Sequence, residues 1–380
     1  MAASFRCWVE VDLNALRENL AWLRHRVGPQ VRIITVVKAD AYGHGLKQIA
    51  ALLMQSGTDV FGVANLAEAH VIRSVGKGWP ILMLGACLPD EVETAVRDDV
   101  MPTISSLEEA ECFALAARRL HKTARVHVKV DTGMGRLGVA PDQAAALVGQ
   151  VKRLPGIRVV GLYTHYSSAE ADAAFSRRQR ARFQQVITEL SADLKELEFI
   201  HISNSAGLLF ERDTVCNTAR PGLLVYGVVP AGKRLMAAGL KNHLRPALTW
   251  KCRVSLVKEI PKRATLSYGR TFAAPRKMLV ATITAGYGDG YLRAGSNRAR
   301  VLIGGRRCPV LGRVTMDQMI ADVSHVPQVR TGDEVVLIGR QGGDAISAND
   351  LAAWCGTVSW EVLTNITYRV PRVYRGGHAA

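Results

Sequence analysis

From residue 31 to about residue 225, short apolar runs alternate with longer stretches whose apolar residues recur every three or four positions. Residues 31–37, 59–64, 80–85, 100–104, 124–130, 157–164, 198–202 and, more faintly, 217–220 have the length and aliphatic content of buried strands. Residues 46–56, 66–75, 106–120, 142–153 and 173–195 read as amphipathic helices between them, and 14–27 as a helix before the first strand. Ser105 or Ser106, followed by Glu108 and Glu109, marks a helix start. Eight strands alternating with helices over about 200 residues predict an α/β fold of the (β/α)8 TIM-like barrel type. A doubly wound sheet has the same periodicity and stays open on pattern alone. After Pro246 the texture changes to short β-rich runs at 248–260, 279–285, 300–303, 309–314, 319–323 and 334–338, separated by Gly and Pro turns. The expectation is a barrel over residues 10–240, followed by a mostly β C-terminal domain over 241–380 that also takes in residues 1–9.

Composition narrows the function classes. At 380 residues and 48% hydrophobic content the chain can build two cores. No run of 18 apolar residues occurs, so no membrane span is expected. Residues 1–12 lack the apolar segment of a secretory signal. Seven scattered cysteines without a C-x-x-C pair argue for a reducing, cytoplasmic setting and against a disulfide framework or a metal site. The net charge of +16 raises nucleic acid as a partner, but no run of five basic residues occurs. A solvated basic surface that attracts anionic metabolites is the better reading, with no nucleic acid and no membrane as partners.

Barrel enzymes place their chemistry at the C-terminal ends of the strands. There this chain puts Lys38, then Lys129 with Asp131, His165, the group Ser203, Asn204 and Ser205, and finally Arg220. A strand-end lysine is usually solvated, but a desolvated one is a nucleophile or base. The turn Ala-Arg-Pro-Gly-Leu offers the Gly222 and Leu223 amides where barrels bind phosphate, flanked by Asn204 and Ser205. A reactive lysine, a phosphate nest and an arginine suit pyridoxal phosphate. Gly133-Met-Gly-Arg-Leu-Gly138 matches G-x-G-x-x-G, but residues 156–160 lack the acid that a dinucleotide site needs. In the β domain, Tyr268 lies in a glycine-flexed turn, and Met316 and Asp317 follow Arg313 closely.

The segments Val37-Lys-Ala-Asp-Ala-Tyr-Gly-His-Gly45, Lys129-Val-Asp-Thr-Gly-Met-Gly-Arg136, Thr164-His165, Asn204-Ser205, Arg220-Pro-Gly222, Ser267-Tyr-Gly-Arg-Thr271, Gly286 to Arg293, Met316-Asp317 and Tyr368-Arg-Val-Pro371 follow one another in family order. On these the chain resembles, from end to end, the bacterial alanine racemases, pyridoxal-phosphate enzymes of fold type III. The resemblance implies pyridoxal 5'-phosphate held as a Schiff base on Lys38, and a head-to-tail homodimer with shared active sites. It implies two bases, Lys38 and Tyr268 of the partner subunit, with His165, Arg220, Lys129 and Asp317 in support. Tyr42, Asn204, Ser205, Gly222, Leu223 and Tyr368 would bind the cofactor phosphate, and Arg220 the pyridine nitrogen. Arg136 and the Met316 amide would take the substrate carboxylate. Lys129 would be carbamylated, as in many members, and would orient Arg136. Glu170, Tyr287, Arg293 and Arg313 would line the access corridor. The implied activity interconverts L- and D-alanine and supplies D-alanine for peptidoglycan.

This sequence departs from the family pattern at Thr315 (commonly Cys or Ser), Tyr166 (Phe), Glu170 (Asp) and Phe272 (Trp). A broader, serine or lysine racemase on the same scaffold is the alternative. A non-catalytic pyridoxal-phosphate carrier would resemble the barrel alone, so the β domain bearing Tyr268 counts against it.

Overall fold

The computed structural model describes residues 5–191, 194–210, 215–232 and 243–376. Arg32–Val36, Val60–Val63, Ile81–Met83, the halves Val100–Met101 and Thr103–Ile104, Ala124–Lys129, Ile157–Tyr163, Phe199–His201 and Thr218–Ala219 form the barrel. Neighbours in the chain are neighbours in the sheet, and the last strand pairs with the first. All pairings are parallel. That order closes a ring and sets the doubly wound alternative aside. The segment expected as one strand over 100–104 is split at Pro102, which has no N–H for a ladder; its carbonyl still accepts from His127 N at 3.0 Å.

Short polar side chains start the helices. Asp12 caps Leu13–Val27, Asn65 caps Leu66–Val75, Ser106 caps Leu107–Arg119 and Asp172 caps Ala173–Glu189. Each cap satisfies amides that the helix cannot and contributes roughly 1 kcal/mol. Helices Val92–Arg97 and Ser205–Phe210 were not expected; at six residues neither is long enough to display a period. The helix expected over 173–195 stops at Glu189, and residues 192–193 lie outside the described residues.

In the β domain the 13-residue strand Leu248–Ile260 is the hub, antiparallel to Cys7–Asp12, Met278–Ile283 and Glu334–Gln341. Arg372–Arg375 lies parallel to Cys7–Asp12 on its other side, so both ends of the chain are stitched into this sheet. The strand Cys7–Asp12 runs through residue 10, where the barrel was expected to begin, and hands directly over to the first helix. The expected boundary at 240/241 lies outside the described residues.

The barrel interior is layered. Toward the N-terminal ends of the strands, Ile34, Val60, Leu82, Met101, Val160 and Phe199 form an apolar plug. Toward the C-terminal ends the lining turns polar, with Thr103, His127, Lys129, His201 and Arg220 all buried. Burial keeps His127 neutral, its pKa pushed down to about 3, and does the same for His44, down to about 4. Burial also depresses His165 and His201, with the neighbouring Arg220 cation adding to it. An unfolded histidine titrates near 6.5. Below that pH the unfolded chain takes up protons that the folded one refuses, so folding stability falls as pH drops from about 6.5 toward about 4. Urea unfolding at pH 7, 6 and 5 checks this: the midpoint should drop progressively, and a His44→Asn variant should show a shallower slope. A midpoint independent of pH in that window would contradict the burial of neutral imidazoles.

Candidate active site

Lys38 leaves the first barrel strand half-buried in the wall of a cavity of about 480 Å3. Burial first, then the Arg136 cation, lowers its pKa, against the opposing carboxylate of Glu68. The chain then makes a left-handed helical turn, with φ of 51°, 55°, 53° and 54° at Ala39, Asp40, Ala41 and Tyr42. Such a turn costs L-residues roughly 1–2 kcal/mol each. Several hydrogen bonds hold it in place. Glu68 accepts from the amides of Ala39 and Ala64, both at 2.7 Å, and Asp40 accepts from Leu46 N at 2.7 Å. The imidazole Nδ1–H of His44 donates to the carbonyls of Tyr42 (2.9 Å) and Ala41 (3.1 Å). From the β domain, Arg372 Nε donates to Gly43 O at 3.1 Å and Tyr374 Oη to His44 O at 3.0 Å.

The turn swings Tyr42 under the cavity, where a Cβ on Gly222 would lie 2.5 Å from its hydroxyl. Burial raises the Tyr42 pKa, so the hydroxyl keeps its proton and can donate. Ser205 Oγ accepts from the amides of Gly222 (2.9 Å) and Leu224 (3.4 Å). The Leu223 amide between them, on a residue only 1% exposed, meets no acceptor among the described residues. Asn204 closes this side, accepting from Gly207 N at 2.9 Å and donating to Tyr166 O at 3.2 Å. A buried cup of amides and hydroxyls with an unspent N–H is built for an anion.

The opposite wall is cationic. Arg220 is buried and keeps its charge, though burial lowers its pKa to about 10. Its Nη2 donates to Thr164 O (2.7 Å), Ile202 O (3.1 Å) and His165 Nδ1 (3.2 Å), and its Nη1 to His201 Nδ1. Burial, Arg220 and Arg136 together lower Lys129 to about 8. Asp131, expected among the strand-end groups, does not face the cavity. Against the upward push of burial, the amides of Gly135, Gly133 and Met134 hold its carboxyl below the usual range. By accepting those amides at 2.8 to 3.0 Å it shapes the loop that carries Arg136 to the cavity. The Gly133–Gly138 segment is therefore a loop around Asp131, not a dinucleotide turn.

Lys38, Tyr42, Lys129, Arg136, His165, Glu170, Asn204, Ser205, Arg220, Gly222 and Leu223 all line this one cavity. Tyr268, Tyr287, Arg293, Arg313, Met316, Asp317 and Tyr368 do not. Tyr268 stands between Ser267 (φ 62°) and Gly269 (φ 71°) and is 72% exposed. Arg313 lies beside that turn, its carbonyl accepting from Ser267 Oγ at 2.6 Å. Gly286 lets the Tyr287 loop dock on the Met316 loop, with Tyr287 N donating to Thr315 O (3.0 Å) and Gly288 N to Met316 O (2.8 Å). Arg293 opens the short helical turn Arg293–Gly295. Asp317 pairs with Arg369 at 2.7 Å, and Tyr368 beside it is 98% exposed. Sequence reading missed Glu68, which anchors the turn, and Tyr163, whose ring lies 5.0 Å from the Arg220 guanidinium and 5.2 Å from Lys129 Nζ. It also missed His127 and His201. An i, i+2 spacing of polar residues in a strand (His127 and Lys129) was the available signal.

A parallel barrel with a desolvated lysine at one strand end and an anion cup at another has the architecture of a barrel enzyme with an anion-binding site. Residues 11–230 match the model of the alanine racemase N-terminal domain and residues 247–374 that of the C-terminal domain. Alanine racemases of Halothermothrix orenii (40% identical, covering 97% of this chain and 96% of the relative) and Symbiobacterium thermophilum (42%, covering 97% of each) are similar throughout. The crystal structure of alanine racemase from D-cycloserine producing Streptomyces lavendulae superposes with a TM-score of 0.91 at 32% identity, covering 99% of this chain and 98% of that one. The chain belongs to the alanine racemase family.

Because a methyl at position 222 would collide with the Tyr42 hydroxyl, Gly222→Ala should weaken pyridoxal-phosphate affinity by at least about tenfold while the apo protein stays folded. Cofactor titration followed by absorbance, alongside a thermal melt, checks both halves.

Proposed function

We propose that the barrel cavity binds pyridoxal phosphate and interconverts L- and D-alanine by moving one proton between two bases on opposite faces of the substrate Cα. The observation that carries this reading is the pairing of Lys38 with the anion cup across one cavity. The residues fit the cofactor: the unspent Leu223 amide, the Gly222 backbone and the Ser205 and Tyr42 hydroxyls would hold its phosphate, and Arg220 would offer a hydrogen bond to its ring. When bound, the cofactor supplies the electron-withdrawing system that makes the Cα–H acidic.

The protein does the rest. Lys38 Nζ, its pKa lowered by burial and then by the Arg136 cation, takes or returns the proton on one face. The hydroxyl of Tyr268 of the partner subunit does the same on the other. Arg136 and the Met316 amide of the partner subunit orient the carboxylate, while Arg220 remains a donor and leaves the ring nitrogen unprotonated. Glu170 with Tyr287, Arg293 and Arg313 of the partner subunit lines the approach.

A head-to-tail homodimer is supported by the way the site residues divide: one group lines the barrel cavity, the other stands exposed on the β domain. Tyr268, Tyr287, Met316 and Tyr368 are large side chains at 72%, 42%, 52% and 98% exposure, of the kind an interface covers. In the cell the reaction would run in the cytoplasm and supply D-alanine for peptidoglycan.

Chiral chromatography of L-alanine incubated with the holoenzyme should show D-alanine, and Tyr268→Phe should keep its cofactor but lose most activity on L-alanine. Lys38→Ala and Tyr268→Phe enzymes should each be nearly inactive, yet recover about a quarter of wild-type activity when unfolded together and refolded as a mixture. Half the dimers would then be mixed, each with one intact site. No recovery would rule out sites shared between subunits.

Lys129, with its pKa lowered to about 8, presents enough neutral amine near neutral pH to take up carbon dioxide as a carbamate that pairs with Arg136. A carbamate carbon resonance in enzyme prepared with 13C-bicarbonate, absent from Lys129→Ala, checks that step.

A further inference from the structure

The barrel interior contains a hydrogen-bond chain that extends past Arg220. Arginine can only donate, so His201 Nδ1, which receives Arg220 Nη1, must carry a lone pair. The His201 proton is then on Nε2, which faces His127 Nδ1 at 3.1 Å. His127 Nδ1 must in turn accept, which places its own proton on Nε2, a buried nitrogen with no hydrogen-bond partner. The chain thus has one direction, Arg220 to His201 to His127, and no acid at its far end. Protonating either imidazole would set an N–H against an N–H.

The packing is specific to this arrangement. Tyr163 stacks on His201 (4.6 Å, 17°) and is pinned through its hydroxyl to Thr103 at 2.7 Å. His127 stacks on Phe199 (5.2 Å, 29°). Opposite His127 in the neighbouring strand is Gly161, where a Cβ would lie 2.2 Å from His127 Nδ1. A mid-strand glycine weakens a sheet, and here it makes room for the ring.

We propose that His127 is a positioning residue for the reaction: through His201 it holds the Arg220 guanidinium in place at the cavity wall. Without the His127 acceptor, the His201 N–H is left buried and unpaired, or its proton moves to Nδ1 and confronts Arg220. In the first case nothing fixes the orientation and tautomer of the ring that receives Arg220; in the second Arg220 loses that acceptor outright. The proposal rests on the reading of this cavity as the racemase site, which the wild-type activity assay tests separately.

The test compares wild-type holoenzyme with His127→Leu, Gly161→Ala and the conservative His127→Asn, whose amide oxygen can replace Nδ1 as acceptor. Three quantities are read: the visible absorption band of the bound cofactor and its pH profile, the pyruvate released per racemisation when the amino group of alanine passes to the cofactor in a side transamination that a displaced Arg220 would favour, and the melting temperature. His127→Leu and Gly161→Ala should shift the band and raise pyruvate release about tenfold, the scale of one buried donor left unpaired. His127→Asn should restore both towards wild type. Folded His127→Leu and Gly161→Ala enzymes with a wild-type band and wild-type pyruvate release would overturn the proposal. So would His127→Asn failing as completely as His127→Leu, since that would make the ring a packing element only. Neutron diffraction from wild-type crystals locates the protons directly; a proton on His201 Nδ1 would also overturn it.

Discussion

The active site depends on a backbone conformation that L-amino acids resist. Four successive non-glycine residues, Ala39 to Tyr42, lie in the left-handed region. The total cost, several kcal/mol, must be met by the surroundings. The β domain helps meet it: Arg372 and Tyr374 bond the carbonyls of Gly43 and His44. Gly43 lies so close to Leu363 that a Cβ would sit 2.2 Å from its carbonyl oxygen, and Gly45 is similarly close to the Tyr374 hydroxyl. The second domain is therefore part of the clamp that forces the chain after Lys38 into this shape. A barrel expressed alone would lack that clamp.

What the clamp produces is a cavity dominated by positive charge. Lys38, Lys129, Arg136 and Arg220 line it, against the single carboxylate of Glu170 among the lining residues. Burial first, and then the neighbouring cations, lower the pKa of Lys38, Lys129 and the nearby histidines, with Glu68 opposing at Lys38 and Asp131 at Lys129. The same field favours a ligand carrying a phosphate and a carboxylate. The lysine's reactivity and the anion affinity thus share one electrostatic origin. The net charge of +16 is a separate matter of the solvated surface.

Much of this was legible in the sequence where a period or a spacing carries it. The eight apolar runs appear as barrel strands within a few residues, because a strand buried on both faces needs an unbroken apolar run. Lys38, His165, Ser205 and Arg220 come together at one cavity because barrel geometry gathers strand ends. Residues 1–9 were expected to join the β domain, but the strand Cys7–Asp12 and its run past residue 10 were not legible, because its partner in the sheet begins at residue 248 and no local pattern announces it. The left-handed turn was equally hidden, since Ala39 to Tyr42 contains no glycine and its conformation is imposed by tertiary contacts. Glu68 looked like an ordinary residue in the first turn of a helix, which it also is.

The division of the site residues follows from the same economy of geometry. A barrel offers one open face, and its strand ends approach a bound substrate from that side only. By the proposed two-base route, inverting a stereocentre needs a second group on the face of Cα opposite Lys38. Under the proposed function Tyr268, exposed on a left-handed turn of the β domain and far in sequence from every barrel loop, would meet that need when another copy of the chain brings it there. In this reading dimerisation is a stereochemical requirement of the reaction. The exposure of Tyr268, Tyr287 and Met316 is then the cost that a single chain bears for it.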